Sequence, residues 1–288
     1  MKSWILCFCL LWIIPFTFIE AASNSPTPQA SAAVAVTSGA GSSASAANPA
    51  TVSASAASAA DTTNQDPEYL AQVQDWQQYP DTLQFGKEWV LLHKSEQSYQ
   101  QGVAILLPEW QQTASLLPLS KALSKQGFDC VVLLPTPDQL RVNPGDEKQS
   151  KQVQQQLEQW SARLAGVDEN MNTVKGHRLL IAQGSSAVWV SQLLATEKMI
   201  KPDAIVLLNA FYPDKQANAI EATQLSNDLL PTLDLYQDDK TNWLQEATRQ
   251  RLSAVKRATK LNWRQQTIQD LTDAPMQISD WLTTLGWK

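Results

Sequence analysis

Residues 180–187 read LIAQGSSA, so that Ser185 and Ser186 follow an apolar run through a single glycine. A serine hydroxyl at such a break can attack an acyl carbon if a neighbouring group takes its proton and N–H donors hold the developing oxyanion. The usual proton acceptor is a histidine held by a carboxylate. The chain has two histidines, His93 and His177. His177 begins the same apolar run that Gly184 ends, and seven strand residues put it roughly 23 Å away at the opposite edge of a sheet. His93 lies in the earlier segment KEWVLLHKSEQ, near the end that turns towards GVAILLP and again away from the break. Both imidazoles are expected to be structural or exposed. The bland use of the two serines is to cap the helix that follows.

Other chemistries find less support. There is no His/Cys cluster and no H-E-x-x-H, and the adjacent Asp238 and Asp239 read as a solvated acidic loop, so no metal site is expected. No Gly-rich phosphate loop follows an apolar run, and no cofactor is expected.

The elements that must position these residues are nearly continuous apolar runs: GVAILLPEW from 102, DCVVLLPTPD from 129, HRLLIAQG from 177, DAIVLLNAFYPD from 203 and LPTLDLYQDD from 230. Short unbroken apolar runs bounded by turn residues fit parallel strands buried on both faces. KEWVLLHKSEQ with the polar turn SYQQG reads as an antiparallel strand turning back into GVAILLP. Helices are expected over 118–126, stopped by Gly127, and over KQSKQVQQQLEQWSARLAG, with Val153, Leu157, Trp160 and Leu164 on one face. They are also expected over VWVSQLLATEK, TNWLQEATRQRLSAVK and APMQISDWLTTLGW. Strands alternating with helices predict an α/β fold with a mostly parallel central sheet and helices on both faces.

The 288 residues suffice for one sizeable domain or two small ones. A net charge of -6 with scattered lysines and arginines argues against nucleic acid as a partner. Residues 1–22 have an early Lys2, an apolar stretch from Trp4 to Phe18 and small residues at Ala21 and Ala22, the layout of a cleavable secretory signal. No membrane span is expected once it is removed. Residues 23–65 are rich in Ala, Ser and Thr and are expected to form a disordered linker, followed by a folded domain over 66–288. Cys7 and Cys9 fall in the signal, which leaves Cys130 as the one mature thiol, expected to be buried.

From Leu83 to Lys288 this order of elements resembles the α/β-hydrolase fold. More narrowly, LLPEWQQ, LLIAQGSSA, PDAIVLLNAFYPD, PTLDLYQDD and KLNWRQQ resemble an exported bacterial family of α/β-hydrolase-like proteins of unknown function. The resemblance implies a strand-to-helix elbow of the form G-x-S-x-G. With the strand ending where the apolar run ends, Gly184 takes the nucleophile position. Sliding the pattern by one residue selects Ser185 and by two selects Ser186, each with poorer flanks. The resemblance also implies an acid near Asp238 or Asp239 and a histidine after the last strand, where the sequence reads LNWRQQTIQDLTD.

In open α/β sheets ligands bind outside the strand C-termini. The residues expected there include Glu109, Trp110, Gln183, Asn209, Tyr212 and Tyr236, a mixture of carboxylate, amide and aromatic groups suited to a polar neutral ligand such as a glycan. The leading expectation is an exported, periplasmic or secreted, protein without an intact catalytic triad. It would bind a small molecule, a glycan or an envelope protein, or act as a scaffold. The alternative is a serine hydrolase of esterase or amidase type using Ser185 or Ser186.

Overall fold

The computed structural model describes residues 66–238 and 240–287. The expected signal, the linker, Cys7, Cys9 and Asp239 lie outside the described residues.

Eight strands form one sheet: β1 (Thr82–Phe85), β2 (Glu88–His93), β3 (Gly102–Leu107), β4 (Phe128–Leu133), β5 (His177–Gln183), β6 (Ala204–Leu208), β7 (Thr232–Tyr236) and β8 (Trp263–Thr267). Their order is β1-β2-β4-β3-β5-β6-β7-β8. β3 to β8 run parallel, whereas β1 and β2 are antiparallel to their neighbours. The fold is therefore mixed α/β with a mostly parallel sheet, as the apolar runs imply. One detail differs: β2 does not form a hairpin with β3 but pairs with β4, which lies between them in the sheet. The SYQQG segment is thus a crossing loop and not a tight turn.

The helices are α1 (Pro67–Trp76), α2 (Thr113–Ser124), α3 (Asp138–Arg141), α4 (Ser150–Asn170), α5 (Ser185–Ala195), α6 (Lys215–Asn227), α7 (Asn242–Ala258) and α8 (Ala274–Thr284). Alternate strand residues feed two cores. Val103, Ile105 and Leu180 pack with α4 and α5 on one face, and Ala104, Leu106 and Ile181 pack with α1, α2 and α8 on the other. Val153, Leu157, Trp160 and Leu164 form the buried stripe of α4. α2 begins five residues before the expected start, with Pro118 inside it. Leu116, Leu119 and Leu123 carry its buried face across the proline, and this packing outweighs one lost backbone donor.

Pairing register sets the stage for the site. Leu107 at the end of β3 lies opposite Ala182 near the end of β5, so the loop that follows β3 meets the turn that follows β5. At the other end of the sheet Gly102 pairs with His177, and His93 pairs with Cys130. His177 stacks on Trp287 at 4.0 Å, His93 bonds to Ser120 Oγ at 2.6 Å, and Cys130 is fully buried. Both imidazoles are thus structural.

Candidate functional site

The apolar run of β5 ends at Gln183, and the chain turns into α5 through Gly184 at φ 57°, ψ -128°. This left-handed backbone conformation is one that residues with a Cβ adopt only under strain. Gly184 is also the N-cap of α5 and has no side chain with which to cap it. Neither serine takes the capping position, because the helix already begins at Ser185.

The side chain of Glu109 fills the space over this turn. Its carboxylate accepts the Ser185 backbone N–H, the Ser185 hydroxyl at 2.8 Å and the Trp110 backbone N–H at 3.1 Å. A Cβ built on Gly184 would run into the same carboxylate. Glu109 makes no ion pair among the described residues. Burial pushes its carboxyl above the ordinary value, and the N–H and O–H donors of Ser185 and the Trp110 N–H oppose that shift. The N-terminus of α5 adds its favourable dipole.

The neighbouring side chains lock this arrangement. Gln183 accepts the Glu109 N–H at 3.3 Å and bonds through its amide nitrogen to Ser115 Oγ at 3.1 Å. Ser186 is completely buried; its hydroxyl donates to the Pro108 carbonyl at 2.8 Å and accepts from Gln139 Nε2 at 2.6 Å. Ser186 is therefore a strut between the β3 end and α3. Sequence reasoning missed Gln139, which sits in the short α3 and carries no periodic signal.

The remaining predicted residues fall into separate groups. Asn209 exchanges two hydrogen bonds with Gln237, at 2.8 and 2.9 Å, and Gln237 donates to the Gln269 carbonyl at 2.9 Å. An amide ladder thus joins the ends of β6, β7 and β8, and β8 is followed by Ile268, Gln269 and Asp270. Tyr212 is buried, with its hydroxyl on the Leu140 and Val142 carbonyls at 3.1 and 2.9 Å, and burial pushes that phenol up to about 12. It braces the loop after α3 and offers no polar atom to a ligand. Tyr236 and the exposed Asp238 line a cleft of about 350 Å³ beside α7. Asp238 does not cap α7: Thr241 does, accepting the Leu244 N–H at 3.1 Å.

Trp110 lines a second cleft, of about 390 Å³, with Trp76, Gln72, Asp75 and Gln111. α1 forms one wall. It is tied down by Gln72, which donates to the Pro135 carbonyl at 2.9 Å, and by Arg141, which reaches Asp66 and Glu68. The periodic reading did not foresee α1. No group of three or more metal-ligating side chains occurs among the described residues.

The sequence profile described as "Protein of unknown function (DUF3530)" matches residues 19–287. The chain belongs to that family. DUF3530 carries no assigned activity, and no curated protein matches the chain. Solved structures share its architecture at low identity. A sugar hydrolase (YeeB) from Lactococcus lactis gives a TM-score of 0.54 at 14% identity, over 72% of this chain and 99% of that one. Est1E from Butyrivibrio proteoclasticus gives 0.51 at 10%, over 72% and 98%. TT1662 from Thermus thermophilus gives 0.50 at 13%, over 72% and 96%. These likenesses show the fold: this DUF3530 member has the α/β-hydrolase architecture. In that architecture the N–H after the elbow residue and one from the loop after the third strand form the oxyanion hole. In this chain the N–H groups of Ser185 and Trp110 both donate to Glu109.

Proposed function

We propose that this protein is a non-hydrolytic member of the α/β-hydrolase fold that works as a binding or scaffolding module in the cell envelope. The observation that carries this reading is the Glu109 carboxylate, which takes the two N–H donors that would stabilise an oxyanion and fills the space above Gly184. A substrate carbonyl would have to displace this half-buried carboxylate before any attack. The sequence has no histidine after His177, and an amide ladder occupies the ends of β6, β7 and β8. The cleft beside Trp110 and Trp76, with the polar groups of Gln72, Asp75 and Gln111, suits a polar ligand such as a glycan. The apolar segment at 1–22 motivates the envelope assignment.

A second reading rests on one contact: Ser185 Oγ donates to Glu109 at 2.8 Å, so a carboxylate base stands ready for a serine nucleophile. A fluorophosphonate probe separates the two. Absence of labelling is expected; labelling that vanishes in Ser185→Ala would establish the hydrolase and end the non-hydrolytic reading. A thermal-shift screen with glycans and cell-wall fragments tests the ligand class, and a lack of response throughout would remove the glycan.

A further inference from the structure

The end of the sheet opposite Glu109 carries an apolar and basic edge. Ile200, Leu229 and Leu261 stand in the three loops that enter β6, β7 and β8, and are 57%, 83% and 97% exposed. The loops are tied to one another. Lys201 pairs with Asp228 at 3.3 Å, the Asn262 side chain donates to the Leu229 carbonyl, and the Thr232 N–H donates to the Asn262 carbonyl at 2.9 Å. The three exposed aliphatic side chains therefore stand on loops that are joined to one another at one end of the sheet.

Cations flank it. Lys256 and Arg257 occupy the last turn of α7, immediately before Thr259 and Leu261, are exposed, and make no ion pair among the described residues. Among the acids of the same loops, Asp228 is engaged by Lys201 and Asp203 accepts the Arg178 N–H at 2.7 Å, while Glu197 stands exposed. Lys260 is turned inward, onto the Leu225 carbonyl at 2.8 Å, and does not contribute to the surface. In a chain of net charge -6 this edge is locally basic.

We propose that this edge rests on the surface of a bilayer containing anionic phospholipids, with Ile200, Leu229 and Leu261 entering the headgroup boundary and Lys256 and Arg257 meeting lipid phosphates. Aliphatic tips beside exposed cations are the chemistry of interfacial attachment. A second copy of the chain fits less well, because a two-fold contact through this edge would gather Lys256 and Arg257 of both copies into one interface.

The test is co-sedimentation of the protein, in the form its producing cell accumulates, with vesicles of phosphatidylglycerol and phosphatidylcholine against phosphatidylcholine alone. Partitioning is expected to favour the anionic vesicles and to weaken with salt. It should fall about tenfold in Ile200→Ser/Leu229→Ser/Leu261→Ser and in Lys256→Glu/Arg257→Glu. Leu140→Ser/Met276→Ser, at exposed positions away from these three loops, should behave like the parent. No binding, no lipid preference, or equal binding by all variants would overturn the proposal. So would light scattering that finds a dimer which the triple serine variant turns into monomer, since that outcome assigns the edge to self-association.

Discussion

The carboxylate of Glu109 and the first residue of α5, Ser185, are joined twice: through the Ser185 N–H and, at 2.8 Å, through its hydroxyl. With the Trp110 N–H at 3.1 Å, three donors converge on one half-buried acid that has no ion-pair partner among the described residues. The chain thereby supplies its own anion to an anion-binding turn.

Glu109→Ala should leave the Ser185 and Trp110 N–H donors without their acceptor and cost about 1–3 kcal/mol. The same change opens a site shaped for a carboxylate. Formate or acetate should therefore raise the melting temperature of the variant well beyond any effect on the parent. Equal responses in both proteins would show that the turn does not bind anions once vacated.

Gly184→Ala meets two obstacles, a backbone at φ 57° and the Glu109 side chain where the new methyl must go. Strain and overpacking together predict a loss of about 2–4 kcal/mol in urea unfolding. Combining it with Glu109→Ala should cost less than the sum of the two, because the second change removes the clash created by the first. Strict additivity would mean that Glu109 leaves that space freely.

Much of this arrangement was legible in the sequence, for a physical reason. Strands buried on both faces leave continuous apolar runs, so β3 to β7 stood out, and the length of LLIAQ fixed Gly184 as the residue at the turn. β8 reads WRQQT because it is a half-exposed edge strand, and α6, rich in small and polar residues, has little apolar periodicity. The insertion of Glu109 was hidden because it depends on the register of β3 against β5, which brings it to a serine 76 residues further along the chain. Asp234, inside the apolar run PTLDLY, belongs to a buried charge cluster that sequence reasoning missed.

That cluster joins Asp234 of β7, Glu221 of α6 and Arg251 of α7, all fully buried. Arg251 holds Asp234 through two bonds, at 2.9 and 3.1 Å, and also reaches the Ala210 carbonyl at 2.7 Å. Asp234→Ala removes the two-bond partner of this buried guanidinium and should cost about 3–5 kcal/mol, whereas Thr248→Ala, which removes one long contact, should cost far less. Similar losses for the two would deny the cluster its structural weight.

Glu221 shares the same guanidinium at 3.3 Å, and its second carboxylate oxygen has no partner. Burial outweighs the attraction of Arg251 and raises this carboxyl from 4.5 to about 7, with Asp234 adding to the rise. Between those values the native chain keeps a proton that the unfolded chain has released. The contribution of Glu221 to stability is therefore largest below about pH 4.5, falls as the pH rises through about 7 and is level above it. Glu221→Gln keeps the shape without the titration. The difference in unfolding free energy between parent and variant should then drift against the parent from pH 5 to pH 8, by a few kcal/mol at most. A difference that stays constant over that range would mean that Glu221 is held ionised by Arg251 throughout.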